Sequence, residues 1–179
     1  MNTALPLSPA LQRAASLIRE IPDHPEPGIL FRDITPLLAD AGALRATVDA
    51  MIEPFRGTFD VVAGIEARGF ILASAAAIAA NTGVVPVRKA GKLPRPAVAA
   101  DYALEYGTAR IEMHADLEPG ARVLVLDDVL ATGGTLGASL ELMRRLDYEV
   151  VGTAVLFEIE GLGGRVVVGD PRLHTVFAG

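Results

Sequence analysis

A chain of 179 residues, 51% apolar and 21% charged, is long enough to bury a sizeable core in one domain and has the balance of a globular protein. Its formal net charge of −6 repels polyphosphate chains, which argues against DNA or RNA as a partner, and the lack of any cysteine excludes disulfides and thiol chemistry. Residues 1–9 have neither a basic start nor a long apolar stretch, so no signal peptide is expected; the most apolar run, 70–80, is too short to span a bilayer, and the expected setting is the cytoplasm.

In chain order, Ser8-Pro9 reads as a helix cap with proline at the first helical position. Leu11, Ala14, Ala15, Ile18 and Ile21 recur at helical spacing and carry that helix to Ile21, where Pro22 ends it. Asp40 caps a second helix through Leu44, Val48, Met51 and Ile52. Residues 59–63 form a buried strand before Gly64, 69–80 an alanine-rich helix and 84–87 another strand. The polar stretch 88–107, broken by Gly91, Pro94 and Pro96, reads as a loop or a mobile hairpin. Further strands are expected at 109–113, 122–126, 150–157 and 175–177, with a helix at 134–146. Strands alternating with helices imply an α/β fold with a mainly parallel sheet covered on both faces, and ligands in such sheets sit beyond the carboxyl ends of the strands. The loops to search therefore follow Ala63, Val87 and Leu126.

The last of these holds two kinds of chemistry. Thr132, Gly133, Gly134 and Thr135 offer two hydroxyls and a run of backbone N–H groups at a helix start, with glycines that let the backbone approach an anion closely. Asp127 and Asp128 cannot face a phosphate, but they suit the hydroxyls of a sugar or a Mg²⁺ carried by a second phosphate. A ligand with a phosphate at one end and vicinal hydroxyls beside it is a phosphorylated ribose. A strand ending in two aspartates also suggests a nucleotide hydrolase, but no Gly-x-x-x-x-Gly-Lys-Ser/Thr stretch lies upstream; residues 64–69 likewise have the wrong glycine spacing for a dinucleotide fold.

Residues 123–135, VLVLDDVLATGGT, resemble the 5-phosphoribosyl pyrophosphate (PRPP) motif of type I phosphoribosyltransferases. Four other segments are similar to the adenine branch of that family: IPDHPEPGILFRDITPLL (21–38) to its N-terminal hood, GIEARGFI (64–71) and RKAGKLP (88–94) to its pyrophosphate-side segments, and LEYG (104–107) to its flexible catalytic loop. The resemblance implies the type I fold as a single domain, with an N-terminal helix and base-binding hood at about residues 1–38, a flexible catalytic loop, and a PRPP-binding core at about 39–179. His24 departs from the pattern, standing where the family more often has an aromatic residue.

The implied reaction is adenine plus PRPP giving AMP plus pyrophosphate, assisted by Mg²⁺ held mainly by PRPP near Asp127 and Asp128. The resemblance places Asp127, Asp128, Ala131, Thr132, Gly133, Gly134 and Thr135 on PRPP. Ala67, Arg68, Arg88, Lys89 and Lys92 fall on pyrophosphate, with the Ala67-Arg68 peptide a candidate for a cis bond. Leu30, Phe31 and Arg32 would read the base, Glu105 would manage the proton at N7 of adenine, and Tyr106 would close over the site. The 88–94 segment reaches across a dimer interface in the family, so a homodimer is implied. The competing readings are a phosphoribosyltransferase for hypoxanthine, guanine or xanthine, and a non-catalytic regulator that senses PRPP. The hood and LEYG segments argue against the first. The short stretch before the hood, with no room for a winged helix, and the negative charge argue against the second.

Overall fold

The computed structural model describes residues 7–24, 26–28, 30–103 and 108–178. Its contacts divide the chain into two units, Met1–Ala50 and Met51–Gly179.

In the first unit, α1 (Pro9–Ser16) begins as expected, with the Ser8 hydroxyl accepting from the Leu11 N–H at 3.3 Å. It stops at Ser16, five residues short of the Ile21 that its apolar spacing predicts. Residues Arg19–Pro22 form β1, which pairs antiparallel with β2 (Leu30–Asp33), setting Ile21 opposite Phe31. β-Branched Ile18 and Ile21 fall at helical spacing, but Ile21 is placed by a partner strand about ten residues away. A short helix α2 (Thr35–Ala39) follows, and Asp40 caps α3 (Ala41–Ile52) by accepting the Ala43 N–H at 2.8 Å.

The second unit is built on a seven-stranded sheet. Its strands are β3 (Val61–Ile65), β4 (Gly83–Lys89), β5 (Val98–Ala103), β6 (Thr108–Met113), β7 (Arg122–Leu130), β8 (Glu149–Glu158) and β9 (Leu173–Ala178), in the order β5-β6-β4-β3-β7-β8-β9. Five strands, from β4 to β9 in that order, run parallel. β5 and β6 form an antiparallel hairpin whose β6 pairs with the far end of β4, Arg88 opposite Glu112 and Lys89 opposite Ile111. Of the expected loop or hairpin at 88–107, the described residues include the end of β4 and all of β5, so the hairpin alternative is the one that holds.

Alternation along the parallel strands feeds two faces. Val123 and Val125 join a core with Leu136, Leu142 and Met143 of α5 (Gly134–Arg145). On the other side α4 (Arg68–Ala80) packs on β3 and β7. Gly64 makes that approach possible, since a Cβ there would meet the Ala73 Cβ at 2.7 Å. A last helix, α6 (Gly164–Val168), lies between β8 and β9.

Candidate active site

The carboxyl ends of β3, β4 and β7 carry the expected groups, with one shift of frame. The apolar run 122–126 predicts that Asp127 and Asp128 lie in a loop. Instead β7 continues to Leu130, pairing Asp127 with Val155 and Val129 with Phe157 of β8, so both aspartates are strand residues on a rigid ladder. The loop itself is only residues 131–133, with α5 starting at Gly134.

That loop has the form of an anion cradle. Gly133 sits at φ +83°, and no side chain caps the first turn of α5, which leaves its N–H groups and dipole to an anion. A cavity of about 120 Å³ is lined by Asp127 and residues 129–136, so Ala131, Thr132, Gly134 and Thr135 meet there as expected. Gly133 has a second constraint that sequence alone does not show: a Cβ would lie 2.5 Å from the Gly164 carbonyl oxygen. One on Gly164 would lie 2.1 Å from the Ala131 oxygen. The loop and the start of α6 touch backbone to backbone, so the lesion of a larger residue at Gly133 would not be confined to a surface loop.

The two carboxylates are buried at 9% and 4% exposure. Asp127 Oδ1 accepts the Asp128 N–H at 2.8 Å, and Gly69 of α4 packs against it, with room for no Cβ beyond 3.0 Å. Asp128 Oδ2 lies 2.6 Å from Arg68 Nε, yet this buried oxygen has no aligned hydrogen bond. Arg68 and the acidic pair thus meet across the ends of β3 and β7. Burial, then the neighbouring Asp128 charge, push the Asp127 carboxyl well above the usual carboxylate range. A carboxyl whose pKa is raised on folding favours the folded state at low pH, and that advantage is lost as pH climbs from its unfolded value to its folded one. Asp127→Asn keeps the oxygen that accepts the Asp128 N–H and removes the charge. It should therefore melt higher than wild type at neutral pH, by roughly 2–4 °C for each kcal/mol relieved. The gap should close as pH falls into the ordinary carboxylate range. Melting curves across that range check this; a gap independent of pH would contradict it.

The turn after β3 holds a cis peptide, at Glu66-Ala67 rather than the expected Ala67-Arg68. Ala67 is exposed, and Arg68 opens α4. Arg88 is drawn inward: its Nε lies 3.4 Å from Glu66 Oε2, its Nη1 donates to the Lys92 carbonyl at 3.2 Å, and its guanidinium sits 5.9 Å from the Phe70 ring centre. Glu66 Oε2 also accepts the Lys89 N–H at 3.0 Å. Burial alone would raise the Glu66 carboxyl, but the Lys89 N–H and the Arg88 guanidinium outweigh it and hold it below its usual value. Lys89 and Lys92 are exposed, and among the described residues neither ammonium enters an ion pair.

Leu30, Phe31 and Arg32 lie on β2 of the first unit. Leu30 is 45% exposed and Phe31 half-buried; the Arg32 Nε is 3.9 Å from Glu20. The His24 ring meets the Phe31 ring at 5.1 Å with an interplanar angle of 76°, so the histidine makes the edge contact an aromatic residue would make. Glu105 and Tyr106 lie outside the described residues. Glu66 and Glu112 were not apparent from sequence as site residues; the only signal was an acid inside a glycine-rich turn and another inside an apolar strand.

Residues 34–168 match the phosphoribosyl transferase domain family. The chain is 56% identical to the adenine phosphoribosyltransferase of Arthrobacter sp. (strain FB24), over 94% of this chain and 91% of that protein. Among solved structures it is similar to the adenine phosphoribosyltransferase of Rhodothermus marinus (TM-score 0.88, 50% identity, 95% of this chain and 98% of that one). It is also similar to the enzyme of Saccharomyces cerevisiae in complex with an imino-altritol bisphosphate and adenine (TM-score 0.89, 32% identity, 96% and 100%).

Proposed function

The chain belongs to the adenine phosphoribosyltransferase family, and from that premise we propose how its residues divide the work. The reaction is transfer of the 5-phosphoribosyl group from PRPP to adenine, giving AMP and pyrophosphate, a purine salvage step. The observation that carries this reading is the pairing of an uncapped α5 start with two buried carboxylates on the adjoining strand end. That arrangement meets a phosphate and a ribose together.

During transfer C1′ of the ribose becomes electron-poor as pyrophosphate leaves, so the site must hold both partners in line and stabilise the departing charge. Ala131, Thr132, Gly133, Gly134 and Thr135 hold the 5′-phosphate. Asp127 and Asp128 take the ribose hydroxyls, once PRPP draws Arg68 from the buried Asp128 oxygen it faces. Ala67, Arg68, Lys89 and Lys92 face the pyrophosphate, with Arg88 as their brace. Leu30 and Arg32 bond the amino edge of adenine, and Phe31 walls the ring. Glu105 handles the proton at N7 and Tyr106 closes the site.

The two aspartates fit a Mg²⁺ that arrives on PRPP. Among the described residues no cluster of three or more acids and histidines could hold the ion alone, so PRPP oxygens would supply most of its ligands. When bound, the ion neutralises pyrophosphate charge. The decisive experiment follows ³¹P signals with PRPP, Mg²⁺ and adenine. AMP and pyrophosphate should appear one for one, and pyrophosphate without AMP would overturn the reading.

The assembly is a homodimer in the cytoplasm. Support comes from α4, where Ile71 and Ile78, seven residues apart on one helix face, are 47% and 83% exposed; among the described residues no helix is long and apolar enough to cross a membrane. Ile78→Asp should convert a species of twice the chain mass into one of single mass by light scattering. A wild-type monomer, or a variant that stays dimeric, would remove this surface as the interface.

A further inference from the structure

The chain has only two lysines, Lys89 and Lys92, against fourteen arginines, and both fall in one short segment. That segment is held from below by a side chain on another strand. Glu112, next to last in β6, is 5% exposed between Ile111 and Met113, each 1% exposed. Its Oε1 accepts the Lys92 N–H at 2.9 Å and the Leu93 N–H at 2.7 Å. If packing alone mattered, an apolar residue here would avoid the cost of burying a carboxylate. A negative group beneath a segment meant for an anion is also a liability unless its charge is spent on donors. Here it is spent: the Leu93 N–H above all, against opposing burial, then the Gly91 and Lys92 N–H groups, hold the carboxyl below its usual range. Glu66 does the same at the other end, on the Lys89 N–H.

We propose that Glu112 is a positioning residue for PRPP: by fixing the Lys92 and Leu93 backbone from inside the sheet, it presents Lys89 and Lys92 to the pyrophosphate as a formed pair of cations. This rests on reading the segment as the pyrophosphate side of the site. The cost of ordering a glycine-containing loop is then met on folding rather than when PRPP binds, so the benefit appears in affinity for PRPP. Adenine, which does not use these cations, should not feel it.

Three variants test this. Glu112→Gln keeps an oxygen that can accept both N–H groups; Glu112→Asp keeps the charge but loses the reach; Glu112→Leu loses both. KM for PRPP should rise about tenfold or more in the Asp and Leu variants, the scale of one lost hydrogen bond to a charged group, and stay within about twofold in the Gln variant. KM for adenine should be unchanged in all three. Amide hydrogen exchange at residues 92 and 93 should lose protection in the Asp and Leu variants and keep it in the Gln variant. If the Leu variant does not fold, the Asp and Gln pair carries the same contrast. Folded Asp or Leu variants with wild-type KM for PRPP, or with equal rises for both substrates, would overturn the proposal. If the wild-type chain makes no AMP, the functional reading has failed, and retained protection at 92 and 93 in the Asp variant would separately refute the brace.

Discussion

Glu105→Gln should slow AMP formation in a single turnover by about a hundred- to ten-thousand-fold, the usual contribution of a general acid–base group, while leaving PRPP affinity close to wild type. Glutamine keeps the shape and most of the hydrogen bonding of glutamate and loses only the capacity to take up a proton. The loss therefore belongs to the step in which adenine N9 attacks C1′ and the proton at N7 must be managed. A solvent-facing glutamate, the ordinary condition of an acid in a polar stretch, would show almost nothing. Because product release can limit steady-state turnover and hide a chemical defect, rapid-quench measurement with enzyme in excess over PRPP is the suitable readout. A Gln variant that forms AMP at nearly the wild-type rate would take the proton-handling role from Glu105 and leave Tyr106 or ordered water to fill it.

Gly133→Val should abolish PRPP binding. The backbone at Gly133 is at φ +83°, which a β-branched residue adopts only with severe strain, and its Cβ would stand 2.5 Å from the Gly164 oxygen. Relief requires the loop or α6 to move, and either movement dismantles the cradle at the start of α5. From sequence the expectation is a fold left intact, because the residue reads as part of a surface loop. The buried contact with Gly164 adds a loss of stability to the loss of binding. Thermal melting with and without PRPP separates the two effects. A ligand at a hundred times its dissociation constant stabilises a protein by about 2.7 kcal/mol, so wild type should show a clear upward shift and the variant none. Gly133→Ala, a smaller lesion with the same Cβ clash, serves if the valine variant is too unstable to isolate. A full PRPP shift in either folded variant would show that the cradle lies elsewhere.

Legibility in the sequence followed the range of the interactions. The start of α5 and its glycines were readable because an apolar run, a glycine turn and a helix signal lie within fifteen residues of one another. The strand character of Asp127 and Asp128 was not, because it depends on Val155 and Phe157 of a different strand. β1 was hidden for the same reason: Ile18 and Ile21 keep helical spacing, and only pairing with β2 reveals an extended segment. β5 is rich in alanine, with Val98 its one β-branched residue, so a hairpin was open to the reading of this stretch but the strand and its pairing with β6 were not fixed by it. Glu66 and Glu112 escaped notice because each acts on backbone N–H groups 23 and 20 residues away, a relation with no sequence pattern. The assignment to the adenine branch rests on four segments that accompany the PRPP motif, not on periodicity or charge.

The most direct test of the central claim, that this site is built for adenine, is competition. With Mg²⁺, limiting PRPP and equal concentrations of adenine, guanine and hypoxanthine, the nucleotides formed are separated and counted. A site whose polar groups match an amino edge leaves them unpaired when a carbonyl replaces it, which in comparable sites is worth about ten-thousandfold or more in discrimination. The expected result is AMP as the nearly exclusive product. IMP or GMP formed at rates equal to or above AMP would contradict the assignment to adenine, while leaving the phosphoribosyl cradle and the family in place.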